Sequence, residues 1–332
     1  VSVELGLGLQ TDKRPGEYAA LARIAEAGGF DVVTTFHDLW YQPALPALLE
    51  IANATARVRV GPSCLNPYTL HPAEIAGQIA TLDLASRGRA FLGLAAGAWL
   101  DELGLEQRRP ARTIAEAWEI VSRLLAGDRS GFVGERFRLE PGRGLAYSPE
   151  RERVPLLVGT WSPRLTAFAA ERADELKLGG TANPELVRLT RERLGAAAER
   201  VGIVVGAVTV VDEDGDRARA YARRRVAMYV AVIAALDPTA ALDPELVGAI
   251  GRHVAAGDAA DAAALVSDDV LDLFAFSGTP AQIVAQAEAV FDAGTQRIDF
   301  GSPHGLDERA GVELLAREVA PRLRFSDSRL VG

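Results

Sequence analysis

The chain has 332 residues, 48% of them hydrophobic, with a formal net charge of −9. That length supports one large α/β domain or two smaller ones, and the acidity argues against a partner held by nucleic-acid phosphates. A single cysteine excludes an internal disulfide and fits a reducing cytosol, and no run of about 18 apolar residues marks a membrane span.

Short apolar runs alternate with amphipathic stretches along the whole chain. The opening VSVELGLGL reads as a strand (3–9) rather than a secretion signal. Residues 15–28 follow as a helix, with Tyr18, Leu21, Ile24 and Ala25 on one face. DVVTTF (31–36) is a second strand, 43–55 a second helix and VRVG a third strand. Ile75, Ile79 and Leu82 mark the next helix, AFLGLA (90–95) a fourth strand, and Ile114, Trp118, Val121 and Leu125 a further helix. PLLVG (155–159), DELKLG (174–179), VVGAVTVV (204–211) and RIDFGS (297–302) complete eight strands. The last helix carries Val312, Leu315 and Val319.

Eight strands, each followed by a helix, predict a (β/α)8 TIM barrel; a doubly wound sheet would need fewer strands or a second domain. We expect a single domain over 1–332. It carries a small hairpin within an insertion at 127–153 and extra helices within an insertion at 212–276, between strands seven and eight. DEDGD (212–216) reads as a solvated acidic turn, Arg223 to Arg225 as a solvated face, and Met228, Tyr229 and Val232 as core or dimer interface.

Barrel sites sit at the C-terminal strand ends. The candidates are therefore Gln10, Phe36 to Tyr41, Ser63 to Asn66, Ala96 to Trp99, Thr160 to Ser162, Gly179–Gly180 and Ser302 to His304. His37 stands where an imidazole can donate to a ligand or move a proton. Before Pro163, the segment GTWS offers backbone N–H groups to a phosphate; Ser162 is also expected to cap that helix. GLAAG (93–97) lacks the spacing of a dinucleotide loop, and the four histidines lack metal-ligand spacing, so no metal is expected. Cys64 reads as a small buried thiol rather than a nucleophile.

One stretch is more specific. VRVGPSCLNPYTLHPAEIAGQIATLDLASRGRAFLGLAAG, together with FSGTPAQIVAQAEAVFDAGTQRIDFGSPHG near the C-terminus, resembles the luciferase-like superfamily. The resemblance is to its coenzyme F420-dependent branch of the methylenetetrahydromethanopterin reductase type. It implies a TIM barrel with an insertion near strand seven. It also implies a bulge after strand three with a non-prolyl cis peptide, by position Ser63–Cys64, on which a deazaflavin ring leans.

The resemblance further implies that Ser63, Cys64 and Asn66 support the ring, with Asn66 touching its edge. Phe36, His37, Ala96, Gly97 and Ala98 would surround it, and Thr160, Trp161 and Ser162 would hold the tail phosphate. Phe36 replaces an aspartate of that family and Ala98 an acidic residue. Proton transfer then falls to His37, Trp40, Tyr41 or Asp101, while Asp38 is expected to point to the other face of its extended segment.

The activity implied is hydride transfer between the deazaflavin and a small organic substrate, expected as reduction of C=C or C=N, by a cytoplasmic homodimer without nucleic-acid or membrane partners. The alternatives are an FMN-dependent monooxygenase of the same fold and a catalytically idle cofactor-binding relative.

Overall fold

The computed structural model describes residues 3–324; residues 1–2 and 325–332, the ends of the expected domain span, lie outside the described residues. Eight parallel strands form the barrel wall. They are β1 (Glu4–Leu9), β2 (Val32–Thr35), β3 (Arg59–Pro62), β4 (Leu92–Ala95), β5 (Leu156–Gly159), β6 (Glu175–Gly179), β7 (Gly202–Val211) and β8 (Arg297–His304). They lie side by side in the order β3-β2-β1-β8-β7-β6-β5-β4. Parallel bridges Val60↔Ala90 and Leu65↔Leu94 join the two ends, so the sheet closes on itself. Each expected strand is present, with its ends moved by a residue or two.

The helices are α1 (Glu17–Ala27), α2 (Ala44–Ala54), α3 (Pro72–Ser86), α4 (Pro110–Leu125), α5 (Pro163–Arg172) and α6 (Pro184–Leu194). Next come α7 (Gly215–Ala234), α8 (Pro244–Ala256), α9 (Ala259–Ala264), α10 (Asp268–Phe274), α11 (Pro280–Asp292) and α12 (Glu308–Leu314). The hairpin pairs Phe132–Val133 with Arg138–Leu139. Helices α7 to α10 lie between β7 and β8, as expected of the insertion. A short strand, Ala275–Gly278, was not anticipated; it pairs in parallel with Val208–Val211 of β7.

Each strand has two faces with opposite tasks. Leu5, Leu7 and Leu9 are fully buried among helix side chains such as Leu48, Ile51 and Ile75. The alternate positions face the barrel axis, where a Cβ on Gly6 would lie 2.0 Å from Asp299 Oδ1 and one on Gly8 3.0 Å from Phe36. A period of two forces this division. The outward leucines bury the sheet beneath the helices, and the inward glycines leave the axis open for larger side chains.

One expectation for the insertion is corrected, at Arg223. The acidic turn at 212–216 is solvated as expected, and within it Asp214 caps α7, accepting from the Arg217 N–H, because its short side chain reaches an otherwise unpaired helical donor. Arg223 does not stand on a solvated face, since it binds Asp268 and the Val266 carbonyl. Of the residues read as core or dimer interface, Met228 and Val232 are exposed and so lie outside the core, whereas Tyr229 turns inward and its hydroxyl reaches the Phe274 carbonyl at 3.3 Å.

Candidate active site

The head of β3 is bound tightly to β4. The Ser63–Cys64 peptide is cis, as expected at this position. Immediately after it, the Leu65 N–H donates to the Gly93 carbonyl at 2.9 Å. Glycines make this approach possible. A Cβ on Gly93 would come within 2.1 Å of the Pro62 carbonyl oxygen, and one on Gly61 within 2.5 Å of the Phe91 oxygen. Cys64 Sγ packs where a Cβ on Gly159 would come to 2.9 Å.

Burial pushes the Cys64 thiol up to about 11, with nearby Lys177 opposing. At pH 8 such a thiol is only ~0.1% thiolate, against roughly a quarter for an unperturbed cysteine. Iodoacetamide is therefore expected to label the folded protein at least about 100-fold more slowly than the urea-unfolded chain. Equal rates by mass spectrometry would contradict this placement.

Asn66 commits its amide oxygen to its own turn, so a polar contact from this side chain to a ring edge would come from Nδ2. Its Oδ1 accepts from the Tyr68 N–H at 3.1 Å, the Thr69 N–H at 3.0 Å and the Thr69 hydroxyl at 3.1 Å. Asparagine commonly turns a chain in this way, and here it uses that oxygen up. The Ser63 hydroxyl and Thr35 Oγ1, by contrast, are buried without partners.

At the head of β2, Phe36 points into the barrel over Gly8 and Gly301, with Lys177 Nζ 5.9 Å from its ring centre. His37 lies on the outer side: its Nδ1 accepts from the Ala44 N–H at the start of α2, at 3.4 Å. Burial lowers the His37 pKa against the opposing charge of Asp38. The ring is thus neutral near pH 7, and since Nδ1 accepts, the proton sits on Nε2 and makes that atom a donor.

Asp38 overturns its expectation. Two residues beyond Phe36, it shares that residue's side of the extended segment, because the period is two. Its Oδ2 accepts from Gln10 Nε2 at 3.0 Å. Trp40 is 74% exposed in a left-handed conformation, and its Nε1 donates to Glu102 at 2.7 Å. Tyr41 is also exposed. Both lie on the outer rim, away from the buried floor. Asp101 is exposed on the rim helix Leu100–Leu103.

Between β4 and that rim helix, Gln107 Nε2 donates to the carbonyls of Ala96 and Gly97, both at 2.7 Å. Gly97 packs on Asn66, and Ala98 is exposed. After β5, Ser162 does not cap α5 with its side chain. Thr160 Oγ1 instead accepts the Ser162 N–H at 2.9 Å, so the nearer hydroxyl has taken the turn. Trp161 packs between the barrel and the insertion, with its Nε1 buried and unpartnered.

Beneath the mouth lies a charge lattice that the sequence reading missed. Asp299 meets Lys177 at 2.6 Å and Arg297 Nε at 2.9 Å; Arg297 meets Glu175 at 2.6 Å. Arg59 joins Glu175 at 2.8 Å to Glu4 at 2.5 Å. Burial alone would raise the Asp299 and Glu175 pKa values, but the neighbouring cations outweigh it and both are lowered. The signal was present: charges at alternate positions within buried strand runs (VELGLGL, DELKLG, RIDFGS) must face the axis.

A second cluster ties β8 to β1; the strand-end reading names its Gln10, Ser302 and His304 but not its Lys13 and Glu308. Ser302 Oγ accepts the Gln10 N–H at 3.0 Å and donates to Glu308 at 2.9 Å; Glu308 also meets Lys13 at 2.9 Å. Burial raises the Glu308 carboxyl, but contacts with His304 and Lys13 bring it down to about 2.

A family model described as luciferase-like monooxygenase matches residues 1–297. The chain belongs to the luciferase-like monooxygenase family. Within this luciferase-like group, it is 28% identical to the 5,10-methylenetetrahydromethanopterin reductase of Archaeoglobus fulgidus, over 97% of this chain and 100% of the relative. It is 28% identical to the F420-dependent glucose-6-phosphate dehydrogenase of Nakamurella multipartita, over 93% of each. The solved coenzyme F420-dependent tetrahydromethanopterin reductase from Methanopyrus kandleri superposes with a TM-score of 0.87 at 25% identity, covering 97% of this chain and 100% of that one. The chain is an oxidoreductase of this luciferase-like fold.

A Cβ on Gly179 would meet nothing within 4 Å, so space is open at the head of β6. The buried hydroxyls of Thr35 and Ser63 leave hydrogen-bonding capacity unspent at the heads of β2 and β3. Among the described residues, no helix is long and apolar enough to cross a membrane.

Proposed function

We propose that this oxidoreductase uses coenzyme F420 and reduces a C=C or C=N bond of a small organic substrate. The observation that carries the reading is the match along almost the whole chain to F420-dependent oxidoreductases, reductase and dehydrogenase alike. The open space at Gly179 supports it, because a planar ring needs room at the strand heads.

When bound, the deazaflavin would supply the hydride; the chain's own residues bind, orient and exclude water. The Ser63–Cys64 segment, backed by Gly93 and Gly159, forms the shelf. Phe36 fills the axis over Gly8 and Gly301, with Lys177 Nζ 5.9 Å from its ring centre. His37 offers a neutral Nε2–H donor. Gln107 holds the Ala96 and Gly97 carbonyls in place at the facing edge. Backbone N–H groups at the start of α5 would receive the tail phosphate, and Trp161 fixes that turn against the insertion. A homodimer formed through the insertion helices belongs to the same reading.

Purified protein titrated with oxidised F420 is expected to quench the cofactor's fluorescence with a Kd in the micromolar range or tighter, and to bind FMN at least tenfold more weakly. Stronger binding of FMN would move the reading to a flavin monooxygenase. Binding of neither would favour a catalytically idle relative.

A further inference from the structure

We propose that Asp38, held by Gln10 at the heads of β1 and β2, is the acid that delivers the proton accompanying hydride addition; this rests on the reductase reading above. Placement is the first support. Gln10 is clamped twice: its Oε1 accepts the Thr11 N–H at 2.9 Å, and its backbone N–H donates to Ser302 Oγ at 3.0 Å. With the amide oxygen occupied, the amide nitrogen turns to Asp38 Oδ2 at 3.0 Å. Asp38 is thereby held at the head of β1, beside Ser302 of β8.

Company is the second support. Most buried carboxylates of the barrel face cations: Asp299 meets Lys177 and Arg297, Asp83 meets Arg151 and Glu116 meets Arg112, whereas Asp237 of the insertion is neutralised by no cation and is instead held by Asn183 and Thr239; half-buried Asp38 is held by an amide alone. Among the described residues, no lysine or arginine pairs with Asp38. The titratable and charged groups around it are otherwise committed. His37 is neutral and turned to α2, and Tyr41 contributes a backbone N–H to the Asp38 carbonyl at 3.4 Å. Lys13 is spent on Asp12, Glu308 and the Gln10 carbonyl, and Glu102 lies on Trp40.

Burial accordingly raises the Asp38 pKa, against the hydrogen bond from Gln10 and the influence of His37. A buried carboxyl without a cation keeps its proton to higher pH, as a general acid requires. Phe36 and Ala98 carry no acidic proton, which leaves this task open.

The step balances. One atom of the substrate's double bond receives the hydride, with its two electrons, from reduced F420. The other atom takes the proton as the Asp38 O–H bond breaks, and water then reprotonates the carboxylate. Gln10 is a positioning residue that keeps the carboxyl aimed at the mouth.

Three measurements test this on the full chain. By ¹³C-carboxyl NMR of the cofactor-free protein, Asp38 is expected to titrate above the ordinary carboxyl range. Gln10→Leu is expected to move it further up, because it removes a donor to the charged form. Asp38→Asn, which keeps shape and partner, is expected to bind F420 within about threefold of wild type. With reduced F420 and an acceptor set including cyclohex-2-enone and a cyclic imine, Asp38→Asn should lose at least about 100-fold in turnover. The fall in wild-type rate at alkaline pH should also vanish in the variant. Titration at or below the ordinary value near 3.9 would overturn the assignment, as would near-wild-type turnover by Asp38→Asn. Should that variant fail to fold, the wild-type titration still decides. Failure of the wild type to bind F420 would overturn the reductase reading itself, and the assignment with it.

Discussion

Arg297→Met is expected to cost the fold about 3–5 kcal/mol, the usual loss when one partner of a buried ion pair is removed. Arg297 is 1% exposed and bridges two carboxylates, Glu175 and Asp299, that sit deep in the barrel. The lattice holds three acids (Glu4, Glu175, Asp299) and three bases (Arg59, Lys177, Arg297), so it is neutral as built. Methionine fills a similar volume but leaves one negative charge uncompensated. Arg297→Lys keeps the charge and loses the two-pronged geometry, so it should fall between wild type and Met.

The loss has a pH signature. Burial works to raise both carboxyl pKa values, but the cations win and both are depressed in the fold. Their stabilisation is therefore fully present above the ordinary values of 3.8 and 4.5, and is lost as pH falls through the lower folded values. The gap between wild type and Arg297→Met should be widest near neutrality and narrow in acid. Urea unfolding at several pH values measures it. A gap below about 1 kcal/mol, or one that ignores pH, would contradict the lattice as a stabilising unit.

The barrel was legible because its wall is built from local patterns. Runs such as VELGLGL and VVGAVTVV announce themselves by length and composition, and the helices by their apolar spacing. The shelf after β3 was legible by resemblance. What escaped were contacts between residues distant in sequence. Lys177 and Asp299 are 122 positions apart, and Gln10 and Asp38 are 28 apart. No window of sequence contains both partners. The strand runs were also read for their apolar members alone, although a barrel strand has an inner face whose charges must find one another. Asp38 was misplaced for a local reason: residues two apart share a side, so it follows Phe36 rather than opposing it. Ser162 lost its expected cap to Thr160, where two hydroxyls competed for one turn and the geometry of β5 decided.

Gly93→Ala is expected to damage both fold and function, whereas the same change at Gly179 is expected to be silent for stability. At Gly93 the new methyl would lie 2.1 Å from the Pro62 carbonyl oxygen and 3.2 Å from Cys64 Sγ. The obstacle is backbone, so β3 and β4 must separate where the Leu65 N–H reaches the Gly93 carbonyl at 2.9 Å. Overpacking of this kind costs about 3 kcal/mol or more when the neighbour cannot yield. It would also displace the shelf, so F420 quenching should weaken at least about tenfold in whatever protein folds. At Gly179 the methyl meets nothing within 4 Å, and unfolding should stay within about 0.5 kcal/mol of wild type. Gly179→Leu extends the comparison: it enters open space at the mouth, so it should leave the melting temperature unchanged while reducing F420 binding. Loss of stability at Gly179 with none at Gly93 would invert the assignment of crowded wall and open mouth. Loss at Gly93 alone, with binding lost at both Gly93→Ala and Gly179→Leu, would place the cofactor over the heads of β3 to β6.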